Sequence, residues 1–280
     1  MSDAYVVFGY PVQHSWSPFI HGLFAKQTGQ DMTYRLYESP PDAFRHDVLE
    51  FFSAGGRGCN VTLPHKRAAA DLVNELTPRA ERADAVNTIV RGDVGLLGDN
   101  TDGIGLVTDL TRNLGLPLHE PRILLLGAGG AARGALGALL DLHPEALVIA
   151  NRSLDRASQL TREFGALGPV IAARFTDVEA RPFDLIVNAT SASLKGDVPP
   201  IPEGVVGPAT VCYDMAYGIG ETPFTDWARR LGAGVAAQGW GMLVEQAAEA
   251  FFLWRGVRPD TAPVLDALRQ RAAARPNTPA

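Results

Sequence analysis

The chain has 280 residues, which is long enough for two domains that each bury a core of their own. Hydrophobic residues make up 46% and charged residues 20%, a balance typical of packed globular proteins that excludes a disordered chain. A net charge of -6 without any basic tract argues against a nucleic-acid or anionic-membrane partner. No segment approaches the roughly 20 apolar residues of a membrane span, and the first residues do not resemble a signal peptide. We therefore expect a cytoplasmic location.

Cysteine, histidine and lysine are each informative by their placement. Cys59 and Cys212 lie in short apolar runs without the paired spacing of zinc or redox sites, which predicts buried, unreactive thiols. The six histidines show no metal-ligand spacing, so no metal is expected. The chain contains only three lysines but 22 arginines. Lys26, near a helix end, and Lys195, in a turn, are interpreted as structural, which leaves Lys66 as the lysine of interest.

Short β-branched runs alternate with stretches of helical period along the whole chain. In the first half the strand-like runs are residues 5–8, 33–37, 59–63 and 86–90, with helices predicted around 19–24 and 48–52. In the second half they are 122–127, 146–151, 184–189 and 211–215. The near-continuous apolar character of these later runs favours a parallel sheet buried on both faces, and the alternation predicts an α/β fold.

The last forty residues predict two helices, 242–256 and 263–274, followed by a frayed tail with the sequence RPNTPA. A loop rich in glycine, aspartate and asparagine at 103–105 is a natural domain boundary, and Gly239 marks a second one. We therefore predict a first domain at 1–103, completed by the C-terminal helices at 240–280, and a second domain at 104–239.

The segment RILLLGAGGAARGAL, which begins at Arg122, combines a buried strand, a glycine turn and an immediate helix. Gly127 permits the tight turn, Gly129 lets the backbone approach a pyrophosphate, and Ala132 fills the third position of the G-x-G-x-x-G/A pattern. The free N–H groups of the helix start would then face the phosphates. The segment predicts a dinucleotide site, the alternative being a glycine turn that serves packing alone.

The next strand ends in Asn151 rather than in the acidic residue that accepts the ribose 2′-OH of NAD. Arg152 and Arg156 are one helical turn apart and can bind a dianionic phosphate together, while Ser153 can both cap the helix and donate to that phosphate. This pattern favours NADP over NAD. The alternative is that Ser153 only caps the helix and that both arginines are solvated surface charges.

The first half of the chain contains two further polar clusters at predicted helix starts. In HSWSP, Ser15 and Ser17 precede a helix, where two hydroxyls can join backbone N–H groups in holding a carboxylate, although helix capping alone explains one serine. In NVTLPHK, an apolar strand ends at Thr62 before Lys66 opens a helix. That position is unfavourable for a surface cation because it opposes the helix dipole, which favours a specific role of Lys66, the alternative being a charged residue in the first turn of a surface helix.

A third cluster, VNTIVRGDVGLLGDNTDG, places Asn87 in a hairpin-like strand and Asp102 at the end of a turn. Taken alone, Asp102 is as consistent with a turn-forming or helix-capping carboxylate as with a functional one.

Nine segments together resemble one known family. The segments are VFGYPVQHSWSP, GCNVTLPHK, AVNTIV, GDNTDG, GAGGAAR, NRS, NAT, YDMAY and QGWGMLVEQAAEAF, in the order found in the shikimate and quinate dehydrogenase family. The similarity runs through essentially the whole chain and is closest to the NADP-linked biosynthetic form. It implies reversible reduction of 3-dehydroshikimate to shikimate by hydride transfer, within the chorismate pathway to the aromatic amino acids.

The resemblance also implies an architecture. An N-terminal α/β substrate domain would be followed by a Rossmann-type doubly wound NADP-binding domain, with the C-terminal helices packing back on the N-terminal domain and the active site in the cleft between the domains. By resemblance the catalytic pair is Lys66 and Asp102. The implied substrate-binding residues are Ser15, Ser17, Thr62, Asn87, Tyr217 and Gln246. The implied cofactor-binding residues are Gly127, Ala128, Gly129, Gly130, Ala131, Asn151, Arg152, Ser153, Arg156, Gly239 and Met242.

The chemistry of ketone reduction agrees with these residue types. A hydride donor must be joined by a proton donor for the developing alkoxide. Lys66 can donate that proton, whereas an arginine could only polarise the oxygen. Asp102 would hold the ammonium, and which of the two groups bears the proton during turnover is left open.

Two alternatives to this function remain. One is a quinate/shikimate or aminoshikimate dehydrogenase, and the more distant one is a nonenzymatic NADP-sensing protein. The expected partners are small molecules, with no nucleic acid and no membrane, in a monomer or a homodimer.

Overall fold

A computed structural model describes residues 2–274 and confirms the predicted α/β fold, with two six-stranded sheets. The strands are β1 (Asp3–Gly9), β2 (Met32–Glu38), β3 (Gly58–Val61), β4 (Glu75–Leu76), β5 (Thr88–Arg91), β6 (Leu96–Asp99), β7 (Arg122–Leu126), β8 (Ala146–Asn151), β9 (Val170–Arg174), β10 (Leu185–Asn188), β11 (Val211–Asp214) and β12 (Val235–Gln238). The α-helices are α1 (Ser17–Thr28), α2 (Phe44–Ser53), α3 (Lys66–Ala70), α4 (Pro78–Ala83), α5 (Asp102–Thr108), α6 (Gly130–Leu140), α7 (Leu154–Phe164), α8 (Pro223–Arg230), α9 (Trp240–Arg255) and α10 (Ala262–Ala273).

The first sheet is mixed, in the order β2-β1-β3-β5-β6-β4. β1 pairs in parallel with β2 and β3, whereas β5 pairs antiparallel with β3 and with β6. The predicted hairpin is therefore present as β5 and β6, but Asn87 directly precedes β5 instead of lying within it. The prediction that Asp102 ends a turn is also wrong in detail, because Asp102 is the first residue of α5.

The second sheet is parallel throughout, in the order β12-β11-β10-β7-β8-β9. Counted from β7, this is the 3-2-1-4-5-6 strand order of the doubly wound dinucleotide fold. The order reverses between β7 and β10, and ligands of such sheets bind beyond the carboxyl ends of the strands at this point. The Rossmann-type topology expected for this half of the chain is confirmed.

The described chain divides into two compact units. One comprises the residues up to Gly105 together with Leu243–Leu268, and the other comprises Leu106–Met242 together with the residues from Arg269 onward. In the second unit, strand residues alternate between two cores because successive side chains of a strand point to opposite faces. Ile123 and Leu125 belong to one core, and their neighbours on β7 belong to the other.

The C-terminal helix α9 packs on the sheet of the first unit. The indole N–H of Trp254 donates to the carbonyl oxygen of Ile89 over 3.1 Å. A Cβ atom added at Gly58 would lie 2.4 Å from the same indole nitrogen, so only glycine permits this close approach. The predicted return of the chain to the N-terminal sheet is confirmed from Leu243 to Leu268.

Several details of the sequence predictions are corrected or completed. α9 begins at Trp240, two residues earlier than predicted, and the tail RPNTPA lies outside the described residues. Both cysteines are free and buried, as predicted. Within residues 2–274, no helix combines the length and apolar character needed to cross a membrane.

Candidate active site

Lys66 and Asp102 form an ion pair between the starts of two helices. Lys66 opens α3 shortly after β3, and Asp102 opens α5 shortly after β6. The Lys66 Nζ lies 2.5 Å from Asp102 Oδ2, with side chains 24% and 10% exposed. The pair is thus protected from most solvent yet open to a ligand. The carbonyl oxygen of Lys66 accepts from the Val86 N–H over 2.8 Å, which anchors the lysine backbone beside the hairpin.

The side-chain amide of Asn87 occupies the other oxygen of Asp102. Asn87 Nδ2 donates to Asp102 Oδ1 over 2.9 Å and to Thr101 Oγ1 over 3.0 Å. In return, Asn87 Oδ1 accepts from the backbone N–H of Thr101 over 2.9 Å. Gln246 of α9 joins the group, because its Oε1 lies 3.5 Å from Asn87 Nδ2. The structure therefore brings together four of the predicted site residues, Lys66, Asn87, Asp102 and Gln246.

The turn before Asp102 is held by its own polar side chains. Asn100 Oδ1 accepts from the Asp102 N–H over 3.1 Å, and Asn100 Nδ2 donates to the carbonyl oxygen of Ala85 over 3.0 Å. Asn100 and Thr101 are both buried. Sequence reasoning singled out only Asp102 in this segment, although asparagine and threonine before an aspartate are a recognisable signal for side-chain-stabilised turns.

A buried charge network anchors α9 beside this turn. Arg79 binds both carboxylate oxygens of Asp99, over 2.7 and 2.6 Å, and also contacts Glu249 of α9 over 2.9 Å. Burial alone would raise the pKa of Asp99, but the hydrogen bonds and charge of Arg79, with the hydroxyl of Thr77, lower it below its ordinary value. Bidentate arginine–carboxylate pairs hold their geometry well, so the network fixes the helix that bears Gln246.

Ser15 and Ser17 bring their hydroxyls together at the start of α1. Ser15 Oγ donates to Ser17 Oγ over 3.1 Å and accepts from the Ser17 N–H over 3.2 Å. The helix N-cap is Trp16, whose side chain makes no capping bond, so neither serine occupies that position. Thr62, directly after β3, is half-buried. These side chains have the polarity expected of a carboxylate and hydroxyl site.

In the second unit, the glycine loop leaves open space at the start of α6. Gly127 has φ +105, and an added Cβ would lie 3.2 Å from the Ala189 carbonyl oxygen, so the position requires glycine. At Gly129 and Gly130 an added Cβ would meet no atom within 4 Å. No side chain caps α6, and Ala132 is fully buried against the sheet. The unsatisfied N–H groups of the first turn and the open space beside them fit a phosphate group.

The residues after β8 fit the additional phosphate of NADP. Asn151 Nδ2 donates to the Ser153 carbonyl oxygen over 2.9 Å. Ser153 is the N-cap of α7, as its placement before the helix predicts, but its hydroxyl makes no capping bond. Arg152 and Arg156 are exposed, and within the described part of the chain neither is paired with a carboxylate. Both guanidinium groups can therefore turn to an anionic ligand.

Three further predicted residues belong to the second unit. The ring of Tyr217 lies 4.6 Å from that of Trp240, and burial raises the pKa of Tyr217. A Cβ added at Gly239 would lie 2.5 Å from the Met215 carbonyl oxygen, which requires glycine there. Met242 is 8% exposed and packs in the core of this unit. Their roles at the substrate and the nicotinamide stay predictions.

Comparison with known proteins defines the family. The chain is 55% identical over 267 residues to "Shikimate dehydrogenase (NADP(+))" of Methylococcus capsulatus, an alignment that covers 95% of this chain and 96% of the relative. The chain belongs to the shikimate dehydrogenase family. Models of shikimate dehydrogenase families match in three parts: the substrate binding domain at 7–89, shikimate / quinate 5-dehydrogenase at 109–195, and the shikimate 5'-dehydrogenase C-terminal domain at 239–269.

Solved structures of similar proteins support this family assignment. The structure of shikimate 5-dehydrogenase from Thermus thermophilus in complex with NADP(H) and shikimate has 33% identity and a TM-score of 0.84, and the match covers 96% of this chain and 99% of the other. The structure of an Ael1 enzyme from Pseudomonas putida has 48% identity and a TM-score of 0.91, covering 95% and 98% of the two chains. The family resemblance predicted from the nine sequence segments is therefore confirmed.

Proposed function

We propose that this protein catalyses the reversible NADPH-dependent reduction of 3-dehydroshikimate to shikimate. The observation that most supports the proposal is the 2.5 Å contact between Lys66 and Asp102, in a chain 55% identical to a relative named for this reaction. A proton-handling pair held by buried amide groups is what ketone reduction needs beside the reacting carbonyl.

When bound, the reduced nicotinamide supplies the hydride that adds to the ketone carbon. Lys66 donates a hydrogen bond to the carbonyl oxygen and then the proton that neutralises the alkoxide. Asp102 holds the Lys66 ammonium in place through Oδ2 and accepts a second substrate hydroxyl. In the oxidative direction the same pair takes up the proton from the substrate hydroxyl.

The remaining polar groups of the first unit would bind and orient the substrate. Ser15 and Ser17 would hold its carboxylate through their paired hydroxyls. Thr62, Asn87 and Gln246 would contact the ring hydroxyls, and Tyr217 of the second unit is proposed to contact the carboxylate. Such positioning accounts for much of the barrier reduction in reactions that join two bound molecules.

In the second unit, the first turn of α6 would hold the pyrophosphate of NADP through the backbone of residues 127–131. The 2′-phosphate would be surrounded by Asn151, Arg152, Ser153 and Arg156. Within the described residues the two arginines have no carboxylate partner, so their positive charges would attract the dianion. Gly239 and Met242 are proposed to border the nicotinamide.

The test is turnover of the purified protein with shikimate and NADP, followed at the absorbance of the reduced nicotinamide. We expect Lys66→Ala to lose roughly two to four orders of magnitude in kcat while keeping much of the affinity for shikimate. Lys26→Ala, which removes an exposed lysine in the last turn of α1, is the matched control and should keep full activity. Absence of turnover in the unmodified protein across pH and cofactor would reject the proposal.

The same assay separates the alternatives. Quinate and aminoshikimate differ from shikimate by a hydroxyl or an amine, so comparative rates on the three compounds decide the preferred substrate. Binding of NADP without oxidation of any of them would indicate a nonenzymatic sensor instead. The cytoplasmic location and the choice between monomer and homodimer stay predictions.

A further inference from the structure

A continuous series of hydrogen-bonded side chains extends into the first unit behind the ion pair. Its members, in order, are Lys66, Asp102, Asn87, Thr88, Asn60 and Tyr34. Thr88 Oγ1 donates to Asn87 Oδ1 over 3.0 Å, Asn60 Nδ2 donates to Thr88 Oγ1 over 3.1 Å, and the Tyr34 hydroxyl donates to Asn60 Oδ1 over 2.6 Å. Asn60 and Thr88 face each other directly in the antiparallel pair of β3 and β5.

The direction of every hydrogen bond in the series is fixed by two backbone groups. The Thr101 N–H can only donate, so the atom of Asn87 that receives it must be the oxygen. The Asn87 carbonyl oxygen can only accept, so the Asn60 atom 3.2 Å from it must be the nitrogen. That nitrogen also donates to Thr88, which leaves the Thr88 proton for Asn87.

The outer end of the series agrees with this direction. Burial raises the pKa of Tyr34 well above its ordinary value, so its hydroxyl keeps the proton that it donates to Asn60. The donors from Tyr34 to Asn87 therefore all point toward Asp102, whose carboxylate accepts from Asn87 at one oxygen and from Lys66 at the other. Aligned hydrogen bonds of this kind strengthen one another in a buried setting.

Thr88 cannot touch a substrate, because it is 0% exposed. Its hydroxyl is nevertheless the link between Asn60 and the oxygen of Asn87. If the Asn87 amide turned over, its oxygen would face the Asp102 carboxylate, and the two acceptors would repel each other. Keeping the Asn87 nitrogen toward Asp102 is therefore a condition for holding Asp102, and with it Lys66, in one place.

We propose that Thr88, supported by Asn60, is a positioning residue that fixes the Asn87 amide and through it the Lys66–Asp102 pair. The inference rests on the proposed function for its effect on turnover, but not for its effect on the Asn87 amide. The competing explanation is that the Thr101 N–H alone fixes Asn87 and that the Thr88 hydroxyl only satisfies the buried amide of Asn60.

The test compares Thr88→Val, which keeps the shape and removes the hydroxyl, with Thr88→Ser, which keeps the hydroxyl. Thr210→Val is the matched control, because Thr210 is 1% exposed and its hydroxyl also makes two hydrogen bonds, in the second unit. We expect Thr88→Val to lower kcat about threefold to tenfold, the effect of one buried hydrogen bond, with KM for shikimate changed less than about twofold. Thr88→Ser should keep kcat close to that of the unmodified protein, and Thr210→Val should lower the Tm without lowering kcat.

A second measurement does not depend on turnover. The side-chain amide of Asn87, assigned by its loss in Asn87→Asp, should shift and broaden in the ¹⁵N–¹H spectrum of Thr88→Val, while Thr88→Ser and Thr210→Val leave it in place. An Asn87 signal unchanged in Thr88→Val would overturn the inference, as would a fall of kcat equal in the valine and serine variants. If the unmodified protein shows no dehydrogenase activity, the proposed function fails, but the Asn87 signal still decides the positioning role.

Discussion

Gly105 is the point at which α5, which begins with Asp102, meets α9, which bears Gln246. A Cβ atom added at Gly105 would lie 2.7 Å from the Cβ of Gln246 and 2.8 Å from its backbone nitrogen. Non-bonded carbon atoms prefer separations of about 3.5 to 4.0 Å, so Gly105→Ala must move one helix by roughly 0.7 Å or more. A backbone atom cannot rotate away as a flexible side chain does. The substitution therefore displaces Gln246 from Asn87 and Thr101, whose side chains lie 3.5 and 3.4 Å from its Oε1.

The expected stability change is the balance of two effects. Alanine in place of a helical glycine gains about 0.5 to 1 kcal/mol from the unfolded chain, and overpacking in a tight contact costs about 1 to 3 kcal/mol. We expect a net loss in the free energy of unfolding of about 1 kcal/mol. Because displacements of about 1 Å in an active site reduce rates by up to roughly a hundredfold, kcat/KM for shikimate should fall about tenfold or more.

The matched control is Gly22→Ala, at an exposed helical position of α1 where an added Cβ meets no atom within 4 Å. Urea unfolding and steady-state kinetics of both variants give the comparison. Gly22→Ala should be stabilised by a few tenths to about 1 kcal/mol with unchanged kinetics. A Gly105→Ala protein as stable and as active as the Gly22→Ala protein would refute the close contact between α5 and α9 as a determinant of the site.

Three other predictions concern the cofactor, pH and the thiols. Arg152→Asp should raise KM for NADP far more than KM for NAD, while Arg162→Asp, the same charge change further along α7, leaves both unchanged; equal rises for the two cofactors would contradict the 2′-phosphate assignment. Burial lowers the pKa of His21 from 6.5 to about 3, so folding keeps it neutral and the free energy of unfolding falls as pH drops below 6.5, by about 2 kcal/mol at pH 5. In His21→Phe, the free energy of unfolding measured with urea should lack this part of the decrease. A pH dependence identical to that of the unmodified protein would contradict the prediction. Burial raises the pKa of Cys59 and raises that of Cys212 to about 12, so a thiol reagent should label both only after unfolding, and rapid labelling of the native protein would be the contrary result.

The strands that the sequence predicted well are those with continuous apolar runs. β7, β8, β10 and β11 form the centre of the parallel sheet, where both faces are buried and the sequence must be apolar throughout. The prediction omitted β9 and β12, the two edges of that sheet, whose residues are largely half-buried or exposed. An edge strand has one neighbour only, so its sequence need not show the pattern by which strands are recognised.

The site residues were predictable where a local sequence motif or an unusual residue type at a helix start indicates a chemical role. Lys66 stood out because a cation at a helix start is unfavourable, and Asp102 because of the family resemblance. Asn60 and Thr88 were not singled out, although each is a polar residue in an apolar strand. Their meaning depends on the register of β3 and β5, which places them opposite each other, and on the turn that presents Thr101 to Asn87. No local pattern specifies such pairings between residues 27 or 28 positions apart.

Four candidate residues, two in each unit, lie at the starts of helices that follow strands. Lys66 opens α3, Asp102 opens α5, Gly130 opens α6 and Ser153 precedes α7. At α6 and α7 the helix N-terminus itself favours the anion that the site is proposed to bind. At α3 the same partial positive charge opposes Lys66, and the structure compensates with Asp102 at 2.5 Å. A cation at the start of α3 is thus paired with a carboxylate at the start of α5, and the other oxygen of that carboxylate is held by Asn87.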